Sequence, residues 1–599
     1  MSARAHPRHG TVMALVHEII ARHHAEPGNL LQILREVQAV LTHIPEEAVR
    51  AVATGLWIPL TQVKGVIDFY TFLYDAPRGE YDLLLSDCVI DEFRGGRALA
   101  EALCRRLDVA LGATRADGRV SVAPTSCTGL CDQGPALLVN GYAMPGLSQE
   151  RIDSMAPLIE GRVPLSAWPP AWFHLDEGLQ RAGRLLSTAL PSGLALRKAI
   201  ELGGNVILDA LRRSGLRGLG GAGYSLARKW QASAAACAGE RSVVCNADEG
   251  EPGTFKDRLL LRRYGDLVFE GMTLCARVIG ARQGFLYLRG EYLCLLNDLE
   301  SLLERRRQAG LLGNDILGTP GFDFDIAIHV GAGAYICGEE SALLESLEGK
   351  RGVPRKRPPY PVTHGYRQHP TVVNNVESFA HAAQIAVYGP EWFRQCGTLD
   401  SPGTKLLSVS GDCARPGIYE YPFGTMVAEV LSDCGAGAPQ AVQIAGAAGH
   451  CVPPSEFNRR LAFEDLPTGG AFMVFGGERD LMAVVRNFTH FFVHESCGFC
   501  VPCRVGTSLI KDLIEKVYRG NGSELDLEEI RRLAHLVQRT SHCGLGHTAP
   551  NVVLDTLEKF PEVWRDRLRV TAFEPAFDLD GALAAARKLT GRDDREAHL

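Results

Sequence analysis

Three cysteines at every third position constrain this chain more than any other stretch. They are Cys497, Cys500 and Cys503 in Glu495-Ser496-Cys497-Gly498-Phe499-Cys500-Val501-Pro502-Cys503-Arg504. Gly498 and Pro502 oppose a regular helix there, so one turn of backbone can aim three thiolates at one point. A fourth, Cys543, follows in the loop-like Thr540-Ser541-His542-Cys543-Gly544. Four thiolates so spaced suit a cubane [4Fe-4S] cluster, which needs one sulfur at each iron corner. Structural zinc and four unrelated buried thiols are the alternatives. Zinc sites usually draw on two C-x2-C knuckles rather than a run of three and a distant fourth, and the spacing favours iron.

A chain of 599 residues should hold three or four domains. The net charge of −7 argues for no nucleic-acid partner. Arg305-Arg306-Arg307 and the basic run 350–357 read as a solvated helix face and a binding loop. Seventeen scattered cysteines in so long a chain point to reduced thiols in a cytoplasmic protein, not to a disulfide framework. The basic start, Met1 to Gly10, leads into no long apolar core or cleavage site, so no signal peptide is expected. No apolar run approaches the roughly 18–20 residues of a membrane span.

The expected fold is multidomain α/β. Residues 1–163 read as helices, with Leu30, Leu31, Leu34, Val37 and Val40 at helical spacing, followed by a small α/β unit. That unit starts with a strand, Tyr81 to Cys88, and carries Cys127-Thr128-Gly129-Leu130-Cys131 in a loop. Residues 164–190, with Pro169-Pro170, Trp168 and Trp172, read as a linker. Residues 191–402 form a glycine-rich α/β domain, 403–478 a small β-rich unit, and 479–599 a helical block with the cysteine loop and a tail. Cys413, Cys434 and Cys451 lack metal-like spacing and read as packing thiols.

The glycine-rich turn Gly215 to Tyr224 has G-x-G-x-x-G-like spacing, yet it follows a helical run, Val206 to Arg213, where a Rossmann fingerprint follows a strand. An ordinary dinucleotide fold is therefore rejected, while a phosphate or nucleotide role is kept, because crowded glycines expose backbone N–H groups. Lys229 lies within reach of a phosphate or an electron-rich ring. The strand from Val243 ends in the polar run Asn246 to Lys256, with Asp248, Glu249 and Glu251, and a solvated turn is its plain alternative. Gly331 to Ser341 forms a strand–glycine–helix junction suited to anionic or ribityl groups. Asn374 and Asn375 offer donors and acceptors for a heterocycle edge, and Cys337 reads as packing.

Together these motifs closely resemble, over about 195–565, the FMN-, NADH- and [4Fe-4S]-binding subunit of respiratory complex I. The first block resembles the thioredoxin-like subunit that accompanies it, whose [2Fe-2S] cluster uses C-x4-C and C-x3-C. Cys127 and Cys131 match the second pair, but Ser86 and Asp91 stand where the first pair belongs, and Cys88 is off register. The departure argues against an ordinary cluster. Either the domain serves docking without its metal, or a cluster survives on Cys88 and an oxygen ligand such as Asp91. The fused chain, including Phe577-Asp578-Leu579-Asp580, resembles the flavin-binding diaphorase subunit of soluble NAD-reducing [NiFe] hydrogenases. The flavin subunits of NAD-dependent formate dehydrogenase and complex I, and a non-turnover flavin/iron–sulfur sensor or scaffold, are the alternatives.

The resemblance implies a thioredoxin-like domain, an FMN domain, a ubiquitin-like domain and a helical cluster domain. It implies that Gly218, Gly220, Gly221, Gly223, Lys229, Asn246, Asp248, Glu249, Tyr335, Gly338, Glu339, Asn374 and Asn375 hold FMN. Tyr224, Glu251, Glu340, Arg357 and Tyr360 would line the NAD(H) pocket, Glu249 and Glu251 orienting the rings. Tyr224 and Tyr360 stand where the complex I subunit has phenylalanine, which keeps a stacking face. Cys497, Cys500, Cys503 and Cys543 would hold the cubane. The implied partners are an iron–sulfur electron-transfer subunit and, through it, the hydrogenase small and large subunits.

Overall fold

The computed structural model describes residues 9–237, 239–569 and 578–594; Met1 to Arg8 and Phe577 lie outside them. Four helices open the chain, His9–Arg22, Leu30–Leu41, Glu46–Gly55 and Leu60–Phe69. Leu30, Leu31, Ile33, Leu34 and Val37 are all buried on one face of the second. That face does not close on the sheet that follows it in sequence. The opening helices share one continuous core with the glycine-rich domain and the C-terminal helices. Polar contacts fix the docking. Tyr70 donates to Ser346 Oγ (2.6 Å) and the Lys350 carbonyl (2.9 Å), and Gln32 donates to the Val330 carbonyl (2.9 Å). The first expected block is thus two packing units.

The first sheet is mixed, in the order Ala113–Thr114, Val120–Thr125, Tyr81–Ser86, Leu137–Val139, Tyr142–Met144. Its inner face packs with Trp168 from the expected linker. Trp168 is buried, stacks on Tyr81 with ring centroids 5.7 Å apart, and donates Nε1–H to the Val163 carbonyl. Further on, Leu179–Arg181 forms the edge strand of the third sheet, parallel to Gly417–Pro422. The segment 164–190 is therefore no loose tether. Its prolines start two short 3-10 turns, Leu165–Ala167 and Pro170–Phe173, while its tryptophan and one strand are bound into two different domains.

The second sheet is fully parallel, ordered Thr371–Asn375, Ser242–Ala247, Gln283–Leu288, Asp325–Val330. Near-continuous apolar runs such as Val243-Val244-Cys245 suit a sheet covered on both faces. The helices Lys256–Ile279 and Val376–Tyr388 pack closely against one another beside it. The third sheet runs His450–Val452, Pro439–Ile444, Ala471–Gly476, Thr404–Gly411, Gly417–Pro422 and then Leu179–Arg181, with its own core. Helices Leu481–Glu495, Val501–Tyr518 and Glu524–Thr540 build the C-terminal bundle. No helix among the described residues is long and apolar enough to cross a membrane.

Candidate functional site

In a parallel sheet all carboxyl ends share one edge, and ligands collect there. Asn246 and Asn374-Asn375 close two neighbouring strands, Arg289 follows the third and Gly331 the fourth. The glycine turn, which follows the helix Gly204–Ser214 as expected, is laid over this edge. Gly220 lies so close to Asn375 that an added Cβ would stand 3.1 Å from its Cβ. Gly221 and Gly223 have φ of 121° and 63°, which few other residues adopt. Gly218 N–H is already committed to the Tyr224 carbonyl (2.8 Å).

The side chains at this edge are mutually fixed. Asn246 donates to the Gly338 carbonyl (2.8 Å) and accepts from Asp248 N–H (3.0 Å). Asn374 Oδ1 accepts from Trp230 Nε1 (2.9 Å). Asn375 donates to Asp257 Oδ2 (2.7 Å). Lys229 donates to Glu340 Oε2 (2.7 Å) and the Val373 carbonyl (2.9 Å), so residues assigned to two different ligands meet in one ion pair. Glu339 caps the helix Glu340–Leu347 through Ser341 and Ala342 N–H, and pairs with Arg357 at 3.1 Å. Tyr224 and Tyr360 are 56% and 54% exposed, leaving free ring faces beside the site.

Three carboxyls beside this edge are driven toward the neutral form by burial. Glu249 is pushed up to about 7; it accepts from Asp257 N–H (2.9 Å) and Tyr292 OH (2.8 Å). Glu251 is likewise pushed up to about 7, accepting from Tyr335 OH (2.6 Å) and Ala448 N–H (2.9 Å). Asp248 is raised well above the ordinary range, and its Oδ2 has no hydrogen-bond partner. A buried acceptor without a donor awaits one. With the glycine cradle and the exposed rings, it fits a hydroxylated, phosphorylated flavin.

Sequence reasoning gave no role to the groups that hold these acids, although Lys256 and Glu377 close two of the motifs. Lys256 lies between Asp257 (2.6 Å) and Glu377 (3.3 Å), and Lys405 also pairs with Glu377. Burial opposes the Lys256 charge, but the acids around it outweigh burial and hold its pKa above the ordinary lysine value. Arg289 donates to the carbonyls of Glu249 (2.5 Å) and Cys127 (2.6 Å) and pairs with Glu291 (2.7 Å). Glu495 accepts from Ser126 Oγ (2.6 Å) and Tyr335 N–H (2.9 Å), joining three domains. Its place beside the cysteine run was the only local signal.

The cysteine loop bridges Leu481–Glu495 and Val501–Tyr518, with Cys500 at the second helix's N-cap. Cys543 caps the short helix Gly544–Thr548. Cys503 and Cys543 are buried, Cys497 and Cys500 partly exposed. Among the described residues, no three of these four sulfurs lie within 4.8 Å of one another. They are therefore not gathered for one ion, while Cys497 lies near enough to act electrostatically on both Cys503 and Cys543; a cubane takes its four thiolates at separate corners. By contrast, the sulfurs of Cys88, Cys127 and Cys131 do lie within 4.8 Å of one another. The strand Tyr81–Ser86 ends just before Cys88, which caps the helix Val89–Phe93 and so turns toward the Cys127–Cys131 loop.

Three family models match the chain. They are described as thioredoxin-like [2Fe-2S] ferredoxin (16–159), Nuo51 FMN-binding domain (211–384), and NADH-ubiquinone oxidoreductase-F iron-sulfur binding region (483–567). The alpha subunit of NAD-reducing hydrogenase HoxS from Cupriavidus necator is 43% identical over 585 residues, covering 95% of this chain and 97% of that one. An NADH-quinone oxidoreductase subunit of Aquifex aeolicus is 42% identical, covering 64% of this chain and 90% of its own. A solved NAD+-reducing [NiFe]-hydrogenase in the H2-reduced state superimposes with a TM-score of 0.90 at 43% identity, covering 96% of this chain and 98% of that one.

Proposed function

The chain belongs to the family of alpha subunits of NAD-reducing hydrogenases, and we propose that it serves as the NAD(H)-binding diaphorase subunit of such an enzyme. The net reaction is H2 + NAD+ = NADH + H+, with the hydrogen-splitting metal on partner subunits. The observation that carries this reading is coverage. The complex I relative accounts for 64% of the chain, whereas the hydrogenase relative spans 95%, first sheet domain included. That same difference ranks the complex I reading second.

FMN, when bound, supplies the conversion between hydride and single electrons that nicotinamide and an iron–sulfur cluster cannot make with each other. The chain's own residues bind and orient. The turn Gly220–Gly223 would offer backbone N–H groups to phosphate, the N–H groups of Gly218 and Leu219 being taken by Tyr224 and Ser378. Asp248, Asn246 and Glu339 would take ribityl hydroxyls, and Asn374 and Asn375 would fix the ring edge. Tyr224 and Tyr360 would cover the rings of NAD(H), with Glu340 and Arg357 at its polar end. Glu251, pinned by Tyr335 and Ala448, has a pKa near neutrality and can hold or release a proton beside the nicotinamide pocket. By holding both ligands in fixed orientation, these residues would make transfer near-unimolecular. Cys497, Cys500, Cys503 and Cys543 would hold the cubane, through which an iron–sulfur partner subunit would supply the electrons drawn from H2. A cytoplasmic location follows from thiols that must stay reduced; all 17 cysteines are free.

Purified chain is expected to be yellow-brown, with one FMN, about four irons by the cubane assignment, and NADH–dye reductase activity. Tight FMN binding with negligible NADH oxidation would instead mark a sensor or scaffold, and a colourless protein would overturn the reading.

A further inference from the structure

The three-sulfur group of the first sheet domain fits one metal ion better than a two-iron cluster. Cys127 and Cys131 Sγ lie 3.3 Å apart and Cys88 and Cys131 Sγ 3.7 Å apart, all three side chains buried. Zn–S bonds are about 2.3 Å, so thiolates on one tetrahedral ion stand about 3.8 Å apart. A [2Fe-2S] rhomb needs four ligands in two pairs, one pair per iron. Here the third sulfur has closed onto the first pair, and no fourth thiol joins them among the described residues.

An independent observation lies beside the sulfurs. Asp91 is 1% exposed, and beyond the buried Ser86 hydroxyl beside it neither carboxyl oxygen has a hydrogen-bond partner. Asp91 is near enough to Cys127 and Cys131 to interact electrostatically with both. Gly134 makes room for it, since an added Cβ would fall 1.8 Å from Asp91 Oδ1. The carboxylate is nevertheless not within 4.8 Å of all three sulfurs, so it reaches a shared ion best through an intervening water. Three thiolates on a dication leave one net negative charge, and Arg289 and Arg258 reach the same loop from other elements, donating to the Cys127 and Gly129 carbonyls.

We propose that Cys88, Cys127 and Cys131 hold one tetrahedral zinc ion, its fourth position filled by a water that donates to Asp91 and lies within reach of Ser86. Zinc has no redox chemistry, so this domain is no stop on the electron path. The ion instead fixes the Cys127–Cys131 loop, from which the Cys127 carbonyl reaches Arg289 and thereby the Glu249 backbone.

Metal analysis and zinc-edge X-ray absorption on the unmodified full chain test this without using activity. One zinc per chain with three sulfur neighbours and one oxygen neighbour is expected, beside about four irons. Cys88→Ser and Cys131→Ser should each lose the zinc and keep the iron and FMN. About six irons with two additional acid-labile sulfides would mean a two-iron cluster and overturn the proposal. A metal-free domain with a Cys127–Cys131 disulfide by thiol counting would also overturn it. If a serine variant fails to fold, the absorption spectrum of the unmodified chain still decides.

Discussion

The C-terminal and N-terminal cysteine groups differ in reach, burial and what surrounds them. The C-terminal sulfurs are spread, two of them partly exposed, on loops between helices. The N-terminal sulfurs are close together and sealed, with a buried carboxylate and two arginines around them. A partly exposed multinuclear site can pass electrons to a partner; a sealed one-ion site can only hold its loop. Domains with a shared ancestry of cluster binding can thus diverge through the position of one thiol, because ligand spacing sets nuclearity.

Reciprocal substitutions give the largest effect. Cys543→Ser should abolish the cubane signal in electron paramagnetic resonance and cut electron delivery to the partner by more than about 100-fold. NADH-to-FMN transfer should remain measurable in stopped flow, and the N-terminal metal should stay in place. An unchanged spectrum would remove Cys543 from the ligand set.

The next effect probes the link between the two halves. Arg289→Met leaves Glu291 buried without its cation and frees the Cys127 and Glu249 carbonyls. Breaking a buried pair by deleting one partner costs about 3–5 kcal/mol, to be read from denaturant unfolding. A loss below about 1 kcal/mol would show that the loop contacts are incidental.

A smaller effect concerns acid. His329 is pushed down to about 3 by burial, with Arg35 adding to the shift, and it contacts Gln32 on the opening helices at 3.1 Å. An ordinary histidine titrates near 6.5, so the unfolded chain takes up a proton that the folded one refuses. The associated stability is present above about pH 6.5 and lost as pH falls toward 3; at pH 5 the loss is about 2 kcal/mol. His329→Gln should flatten that slope for docking of the opening helices, while unfolding of the C-terminal bundle should keep its own pH profile. Equal slopes with and without the substitution would defeat the assignment.

The cubane loop was legible because its spacing is local: Cys497, Cys500 and Cys503 share one turn wherever the rest of the chain goes. The parallel-sheet edge was legible for a similar reason, each polar run standing at the end of an apolar one. Cys88 was harder. Its register fails the family pattern, and only the end of the strand at Ser86 and the helix from Val89 turn it toward Cys131. The Lys256–Asp257–Glu377–Lys405 group was invisible because its members meet only after two sheets have packed. Trp168, which the sequence places in a linker, is buried against the first sheet, a contact that only the folded chain reveals.

The short strand Leu179–Arg181 dictates where this polypeptide can be divided. It completes a sheet whose other strands begin more than 200 residues later, and Glu420 clasps the N–H groups of Gly183, Leu185 and Leu186 just beyond it. A cut near residue 190 would carry the strand off on the amino-terminal fragment and leave a bare, adhesive border on the other. A cut between Phe173 and Leu179 would keep the strand with its sheet, and two polypeptides made that way should reassemble through the core that the opening helices share with the glycine-rich domain.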